Sequence, residues 1–278
     1  IHPLNPDCVF HLPLAGSVIK RTAVINSTPV TKRQKFSHDI VFVGSLYSEK
    51  NPLASASGLS EYTKGYIEGI MKAQESVYGY YFIEELLTDD IVAEVKNSVQ
   101  GFPAPPEKSF LTDKRIVSQE YIGNAITALE RDDTFRMLSE HFHTTIYTGS
   151  DTTGLPKLEN RGLAKSQEEM PVIFHGSKIN INTTSKPIRT GLPLRIFDIL
   201  SCGGFCISNY QAEIPELFVP GEEIVMYESL DELQELCAYY LDHESERRQI
   251  AEAGFEKLKK CYTYETVLQK LLYTAFSS

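Results

Sequence analysis

The fold is clearest in residues 170–208, which read MPVIFHGSKININTTSKPIRTGLPLRIFDILSCGGFCIS. The run 179–182 predicts a buried strand, and the apolar residues of 194–201 recur at helical spacing. Gly203-Gly204 turns the chain, and 205–208 predicts the next strand. Strands that alternate with helices of this length indicate a parallel sheet covered on both faces, a doubly wound α/β fold.

The same alternation extends outward in both directions. We predict buried strands at Ile40–Val43, Thr144–Thr148 and Ile224–Tyr227, an extended piece near 162–164, and helices at about 167–176 and from Ser229, His243 and Tyr264 onward. Ser229 and Glu232 form a capping box, because the glutamate lies three residues after the cap.

An inserted helical block separates the first two strands, at about 50–140. Apolar residues recur at helical spacing from Leu59 to Leu87, and Asp89-Asp90 caps a helix through about Val99. Residues 101–106 are half proline and predict a loop, after which 115–141 is helical again.

Residues 1–37 show no helical or strand period and contain four prolines and a basic cluster that includes Lys20 and Arg21. They predict a connector or the tail of a preceding domain, with 38–278 as the domain itself. The chain begins with Ile1 rather than Met, so we expect a piece of a longer protein.

The composition is that of a globular protein, with 42% hydrophobic and 23% charged residues among 278. A net charge of −10 argues against a general affinity for nucleic acid or anionic membranes. No apolar run approaches the roughly 20 residues that span a bilayer. Five cysteines without a Cys-x-x-Cys pair fit free thiols in a reducing compartment, so we expect a cytoplasmic protein without a metal site.

The loop between the strand at 179–182 and the next helix carries the chemistry, because ligands bind outside the carboxyl ends of parallel strands. Thr190 is placed to cap the helix, and Gly191 and Leu192 would offer free N–H groups to a phosphate. Arg195, one turn into the helix, adds a planar fork for phosphate oxygens.

Asp198 lies on the same helical face as Arg195, three residues on. An Arg–Asp pair on a helix surface and a functional pair explain this spacing equally well. For Cys202 and Cys206 packing is favoured over reactivity, and for His141, His143 and His175 a structural or solvated role is favoured over catalysis.

These residues carry a resemblance. The runs 170–174, 177–182, 191–205, 213–218 and 221–223 look like the C-terminal half of a CgeB-type glycosyltransferase, and His38–Ser45 resembles the first strand of that domain. The tail residues 246–248, 250–251, 253–254 and 262–264 also fit. The resemblance covers about 240 residues and is strongest over 170–265.

The resemblance implies a Rossmann-like domain of the GT-B type, whose C-terminal half holds a nucleotide sugar. Asp198 would accept hydrogen bonds from the ribose hydroxyls, and Gly191, Leu192 and Arg195 would hold the diphosphate. Gly44-Ser45 would approach the diphosphate from the other side, and Arg161-Gly162 would lie by the base. Where many retaining relatives carry Glu-x7-Glu, this chain has Thr190 and Asp198.

We therefore expect the donor-binding domain of a glycosyltransferase that uses a nucleotide diphosphate sugar and no metal, with an unknown acceptor. The first 37 residues are too short for the N-terminal Rossmann-like half, which would be its partner domain and the source of a base. The alternative is a non-catalytic nucleotide-binding or protein-interaction module. A receiver-like domain would need clustered acids at the end of the first strand, whereas Asp39 begins that strand.

Overall fold

The computed structural model describes residues 10–105 and 109–277, and its centre is a six-stranded sheet. The strands are β1 Ile40–Val43, β2 Thr144–Tyr147, β3 Glu159–Asn160, β4 Ile179–Asn182, β5 Cys206–Asn209 and β6 Val225–Tyr227. Their order is β3-β2-β1-β4-β5-β6, and every pairing is parallel. This is the strand order of the doubly wound α/β fold, so the predicted fold class is confirmed.

The strand order reverses at β1, where Ile40 is registered with Thr144 of β2 on one side and Ile179 of β4 on the other. Strands β2 and β3 lie on one side of β1, and β4, β5 and β6 lie on the other side. Ligands in such sheets bind where the order reverses, at the edge formed by the carboxyl ends of the strands, here called the carboxyl edge. The loops after β1 and β4 therefore frame the place to look for a site.

Helices cover both faces of the sheet. They are α1 Val18–Ser27, α2 Val30–Arg33, α3 Glu61–Glu75, α4 Ile83–Leu86, α5 Asp89–Ser98, α6 Asp113–Ile116, α7 Gly123–His141, α8 Met170–Gly176, α9 Leu194–Ser201, α10 Ile214–Leu217, α11 Leu230–Asp242, α12 Glu244–Cys261 and α13 Tyr264–Ser277.

Alternate residues of β1 belong to two different cores, which shows that the sheet is buried on both sides. Ile40 and Phe42 pack with Phe135 and Leu138 of α7 and with Leu233 of α11. Val41 and Val43 pack on the other face, with apolar residues of α8 and α9. Because successive side chains of a strand point to opposite faces, all four residues of β1 are buried, and all four are apolar.

The N-terminal segment, predicted as a connector or the tail of a preceding domain, contains helices that its sequence period did not indicate. Residues 10–37 contain α1, α2 and a 3-10 turn at 34–36, and α1 packs against α8 and α9 through the buried Ile25. Residues 1–9 lie outside the described part. Helix α1 escapes prediction because the buried Ile25, the half-buried Val18 and a distant ion pair, not a continuous apolar stripe, hold it in place.

The helical block between β1 and β2 has its own apolar core, which includes Ile67, Ile83, Val95 and Ile122. The periodic stretch 59–87 is not one helix, because α3 ends at Glu75 and Gly79 adopts a left-handed φ of 75° before α4 begins. Helix α6, a π-helical turn at Val117–Ile122 and α7 then follow one another without interruption.

Smaller differences concern boundaries. The cap of α5 is Thr88, whose hydroxyl accepts from the Ile91 N–H, rather than Asp89-Asp90. The strand expected near 162–164 is β3, three residues earlier, and Ser229 caps α11 as predicted. Within the described ranges the model contains no helix that is both long and apolar enough to cross a membrane.

Candidate functional site

A buried arginine joins the two loops at the point where the strand order reverses. Arg131 of α7 donates from Nη1 to the carbonyl oxygen of Ser45, after β1, and from Nη2 to that of Thr183, after β4, at 2.6 Å. Its guanidinium carbon lies 4.6 Å from the centroid of the Tyr47 ring. Among the ion pairs of residues 10–105 and 109–277 none includes Arg131. It therefore places a positive charge without a carboxylate partner at the carboxyl edge.

The loop after β1 is fixed by its own hydrogen bonds. Ser45 donates its hydroxyl to Glu49 at 2.6 Å, and Ser150, after β2, donates to the same carboxylate at 2.8 Å. Partial burial opposes ionisation of Glu49, but these hydrogen bonds outweigh it and lower the pKa of its carboxyl. The Gly44 N–H donates to the carbonyl of Tyr147 at 3.1 Å. The predicted pair Gly44-Ser45 thus lies at the carboxyl edge with its amide and hydroxyl already engaged.

The helix after β4 begins differently from its prediction. Helix α9 has Pro193 as its N-cap residue, in extended backbone without a side-chain cap, so Thr190 is not the cap. Thr190 lies in an exposed bend, and Gly191 follows it with a left-handed φ of 84°. Leu192 packs into the apolar core below. The N–H groups at the start of the helix are consequently those that follow Pro193.

Arg21, Arg195 and Asp198 form what we call the arginine–aspartate cluster. Asp198 Oδ1 accepts from Arg21 Nη2 at 2.7 Å, and its Oδ2 lies 3.4 Å from Arg195 Nη1. Arg21 also donates to the carbonyl of Ser166 at 2.6 Å. The side chains of Arg21 and Asp198 are each 12% exposed. The helical spacing of Arg195 and Asp198 therefore does form a pair, but the shorter bond comes from a helix far away in the sequence.

Arg195 packs against the ring of Phe174 and lies beside Asp198. Its guanidinium carbon is 5.4 Å from the centroid of Phe174, and the side chain is 27% exposed. Burial lowers the pKa of Arg195, Asp198 raises it, and the like charge of Arg21 lowers it further. Burial also lowers the pKa of Arg131, with a smaller contribution from the charge of Arg195. Arg195 thus carries a positive charge beside the paired Arg21 and Asp198, whereas the pKa of Arg131 is also raised by the charge of the neighbouring Glu130.

Arg161 and Gly162 lie elsewhere. Both follow β3, which is separated from β4 by two strands. Arg161 pairs with Glu159 at 2.8 Å, and Gly162 is exposed with a φ of 74°. No contact of the described residues joins either of them to the arginine–aspartate cluster.

Two residues of the site were not predicted. Arg21 belongs to the basic cluster of the N-terminal segment, but 177 positions separate it from Asp198, and no local pattern links them. Arg131 sits in a helix whose role was not assigned. In the sequence, Arg21 and Arg131 are distinguished only as basic residues that have apolar residues near them.

Cys202, Cys206, Cys237 and His175 have structural roles. Cys202, Cys206 and Cys237 are buried, and burial raises the pKa of the Cys202 thiol to about 12. His175 binds the carbonyl of Cys202 at 2.9 Å. Within the described ranges no three His, Cys, Asp or Glu side chains are arranged to hold a metal ion.

Comparison of the sequence with models of known protein families identifies one matching family. Residues 130–273, just over half of the chain, match the family model described as glycosyl transferase-like. No curated protein matches the sequence.

Several solved structures are similar in fold. A UDP-forming α,α-trehalose-phosphate synthase from Burkholderia vietnamiensis is 11% identical, with a TM-score of 0.49 over 96% of this chain and 52% of that one. The sucrose-phosphate synthase of Thermosynechococcus elongatus is 12% identical, with a TM-score of 0.47 over 96% and 52%.

Alr3699/HepE of Anabaena, solved with UDP and glucose, is 12% identical, with a TM-score of 0.44 over 52% of this chain and 44% of that one. The chain spans about half the length of these structures. On the match over residues 130–273, the chain belongs to the glycosyl transferase-like family.

Proposed function

We propose that this chain is the donor-binding domain of a CgeB-type glycosyltransferase, which transfers a glycosyl group from a nucleotide diphosphate sugar. The observation that carries the proposal is the position of Arg195 in the first turn of α9, after β4 and beside Arg21 and Asp198, at the carboxyl edge of a parallel sheet in a chain of this family. A diphosphate is the anion that such an edge suits.

Arg195 is the residue proposed to contact the diphosphate. It stands in the first turn of α9, where free N–H groups and the helix dipole favour negative charge. Of its five N–H donors, only those on Nη1 contact other side chains, Asp198 at 3.4 Å and the Met170 sulfur at 3.8 Å among the described residues, so the guanidinium retains donors for phosphate oxygens. As the glycosyl bond breaks, the charge that develops on the departing diphosphate would be stabilised by this arginine and these N–H groups, without a required metal.

Asp198 is proposed to orient Arg195 and to accept from a ribose hydroxyl. Each oxygen of an ionised carboxylate has two acceptor positions, and Arg21 and Arg195 occupy one on each oxygen. One position per oxygen remains. Asp198 is 8% exposed, so a ribose hydroxyl would have only a small accessible part of this residue to bind.

The acceptor, its activating base and the partner half of the enzyme belong to the whole protein and are proposed to lie outside this domain, in a reducing, cytoplasmic compartment. A non-catalytic module is the second candidate, because Arg21 already holds the carboxylate that a ribose would need.

Calorimetric titration with uridine, guanosine and adenosine diphosphates tests the proposal, with a chelator present throughout. We expect one nucleoside diphosphate to bind more tightly than the matching nucleoside. Binding of none of the three would contradict the proposal and favour the non-catalytic module.

A further inference from the structure

A cavity of about 770 Å³ lies between the loop after β1 and the helical block. One side is lined by residues within 49–55, and the other by the loop before α6, by α6, by the π-helical turn and by the start of α7. The volume lies within the roughly 300–1,000 Å³ of small-molecule sites in proteins. Every lining residue precedes residue 130, where the family match begins, so the cavity belongs to a part of the chain that the family model does not cover.

Tyr121, in the π-helical turn, brings a free hydroxyl to the lining of this cavity. The residue is 6% exposed, and its ring stacks on that of Phe102 with the centroids 5.4 Å apart. Among the residues that the structure describes, none bonds to the Tyr121 hydroxyl, although this hydroxyl keeps some contact with solvent. Because a buried tyrosine usually finds a partner for its hydroxyl, this one is available to a ligand in the cavity.

Two side-chain amides near Tyr121 are also free. Gln119 and Asn124 line the cavity and are half-buried, and neither side chain makes a hydrogen bond to the described part of the chain. An amide donates from its nitrogen and accepts at its oxygen, and a phenol hydroxyl likewise does both. These three side chains therefore suit a ligand whose own groups both donate and accept, which is the property of hydroxyl groups.

The charges around the cavity balance. Its charged lining residues, among those that the structure describes, are two acids and two bases, all of them exposed: Glu49, Glu120, Lys50 and Arg115. Equal numbers of opposite charges give no net attraction for an ion of either sign. Much of the remaining lining is apolar and includes Pro52, Pro103 and Leu111. A neutral ligand with both hydroxyl groups and C–H surfaces matches this combination.

We propose that this cavity binds a neutral carbohydrate, whose hydroxyls pair with Tyr121, Gln119 and Asn124 and whose ring packs on the apolar lining. A sugar carries many hydroxyls that both donate and accept, and it has no charge. The cavity adjoins the carboxyl edge, because Glu49 in its lining accepts from Ser45, in the loop after β1, at 2.6 Å. This binding does not depend on the donor site, so its test is made without nucleotide.

Calorimetric titration of the full chain with maltose, cellobiose, lactose and N,N′-diacetylchitobiose tests the proposal. We expect saturable binding of at least one of these neutral disaccharides, with a dissociation constant that changes less than about twofold between low and high salt, because salt screens charges and not hydroxyls. Glucosamine and glucuronate, titrated beside glucose, place a positive or a negative charge on the same ring. Neither should bind more tightly than glucose, since the charges of the lining balance.

Two tyrosines of the helical block supply a matched pair of variants. Tyr121→Phe removes a hydroxyl without a partner among the described residues, so it should weaken sugar binding about fivefold and leave the unfolding temperature unchanged. Tyr62→Phe removes the hydroxyl of an exposed tyrosine that stacks on Tyr66 outside the cavity, and should change neither quantity. Asn124→Ala, with the exposed Asn97→Ala as its control, should repeat this difference in binding.

Three results would overturn the proposal. They are the absence of binding by all four disaccharides, an effect of Tyr121→Phe on binding no larger than that of Tyr62→Phe, and tighter binding of glucosamine or glucuronate than of glucose. Thermal unfolding of each variant shows whether it remains folded.

Discussion

Arg21 Nη2 lies 2.7 Å from Asp198 Oδ1, and both side chains are 12% exposed. This bond attaches α1 to α9 across 177 positions of sequence. It also occupies one oxygen of Asp198, the carboxylate proposed to bind the ribose of the donor. The other oxygen of Asp198 contacts Arg195. The N-terminal helix is thus part of the site as well as of the fold.

Arg21→Ala should lower the free energy of unfolding by about 3 kcal/mol, because it leaves a largely buried carboxylate with one long ion pair. Urea unfolding measures this. The control is Arg248→Ala, which removes an exposed partner of Glu244 and should cost less than about 1 kcal/mol. Equal losses would mean that the Arg21–Asp198 bond contributes no more than a surface pair.

Arg131→Met should lower the free energy of unfolding by about 3 kcal/mol, because two buried carbonyl oxygens, those of Ser45 and Thr183, lose their charged donor. Arg136→Met on the same helix removes an exposed arginine paired with Asp132 and should have little effect. Hydrogen exchange should speed up in the loops after β1 and β4 in the first variant only. Unchanged exchange there would show that Arg131 does not hold the loops together.

Gly123→Ala should destabilise the protein by about 2 kcal/mol or more, because its Cβ would overlap Pro187 Cγ and lie 3.1 Å from the Tyr81 hydroxyl. At this point the helical block meets the loop after β4. Gly65→Ala, in the exposed middle of α3 with nothing within 4 Å, should instead stabilise by up to about 1 kcal/mol. Thermal unfolding compares the two, and a neutral Gly123→Ala would refute the close contact.

His38 should make the free energy of unfolding depend on pH, and the direction follows from its pKa. Burial lowers the pKa of His38 to about 4, and the charges of Arg161 and His143 add to this while Glu159 and Asp39 oppose it. Below its ordinary pKa of 6.5 the unfolded chain takes up a proton that the folded chain refuses, so stability falls as the pH drops from 6.5 toward 4.

The measurement is urea unfolding at pH 7 and pH 5 for the wild type and for His38→Gln, whose amide can still reach the Tyr147 hydroxyl that His38 contacts at 2.9 Å. The wild type should lose about 2 kcal/mol more than the variant between these pH values. Equal losses in both proteins would show that His38 does not resist protonation.

The elements that the sequence predicted well are those whose own residues show the pattern of a buried strand or helix. Helix α9 has the predicted bounds Leu194–Ser201, β1 lies where an apolar run predicted it, and β4 lies where alternating isoleucine and asparagine predicted a strand. Helix α1 was missed because its stability depends on packing against α8 and α9, which lie more than 140 positions away.

The same limit applies to the site. The spacing of Arg195 and Asp198 predicted their pairing, which the structure confirms at 3.4 Å. It did not predict Arg21 or Arg131, since a residue's spatial neighbours across a sheet do not follow from local periodicity. The expected helix cap at Thr190 was wrong because Pro193 starts the helix instead.

The most direct test of the donor site compares the dissociation constants of UDP and uridine for the wild type, Arg195→Ala and the exposed control Arg189→Ala, with a chelator present. Our account predicts that Arg195→Ala weakens UDP binding about tenfold or more and uridine binding much less, since a charge-assisted contact to phosphate is lost. Arg189→Ala should change neither. If none of the uridine, guanosine and adenosine diphosphates binds the wild type, or if Arg195→Ala weakens UDP and uridine equally, then Arg195 does not contact a diphosphate and the proposed donor site is wrong.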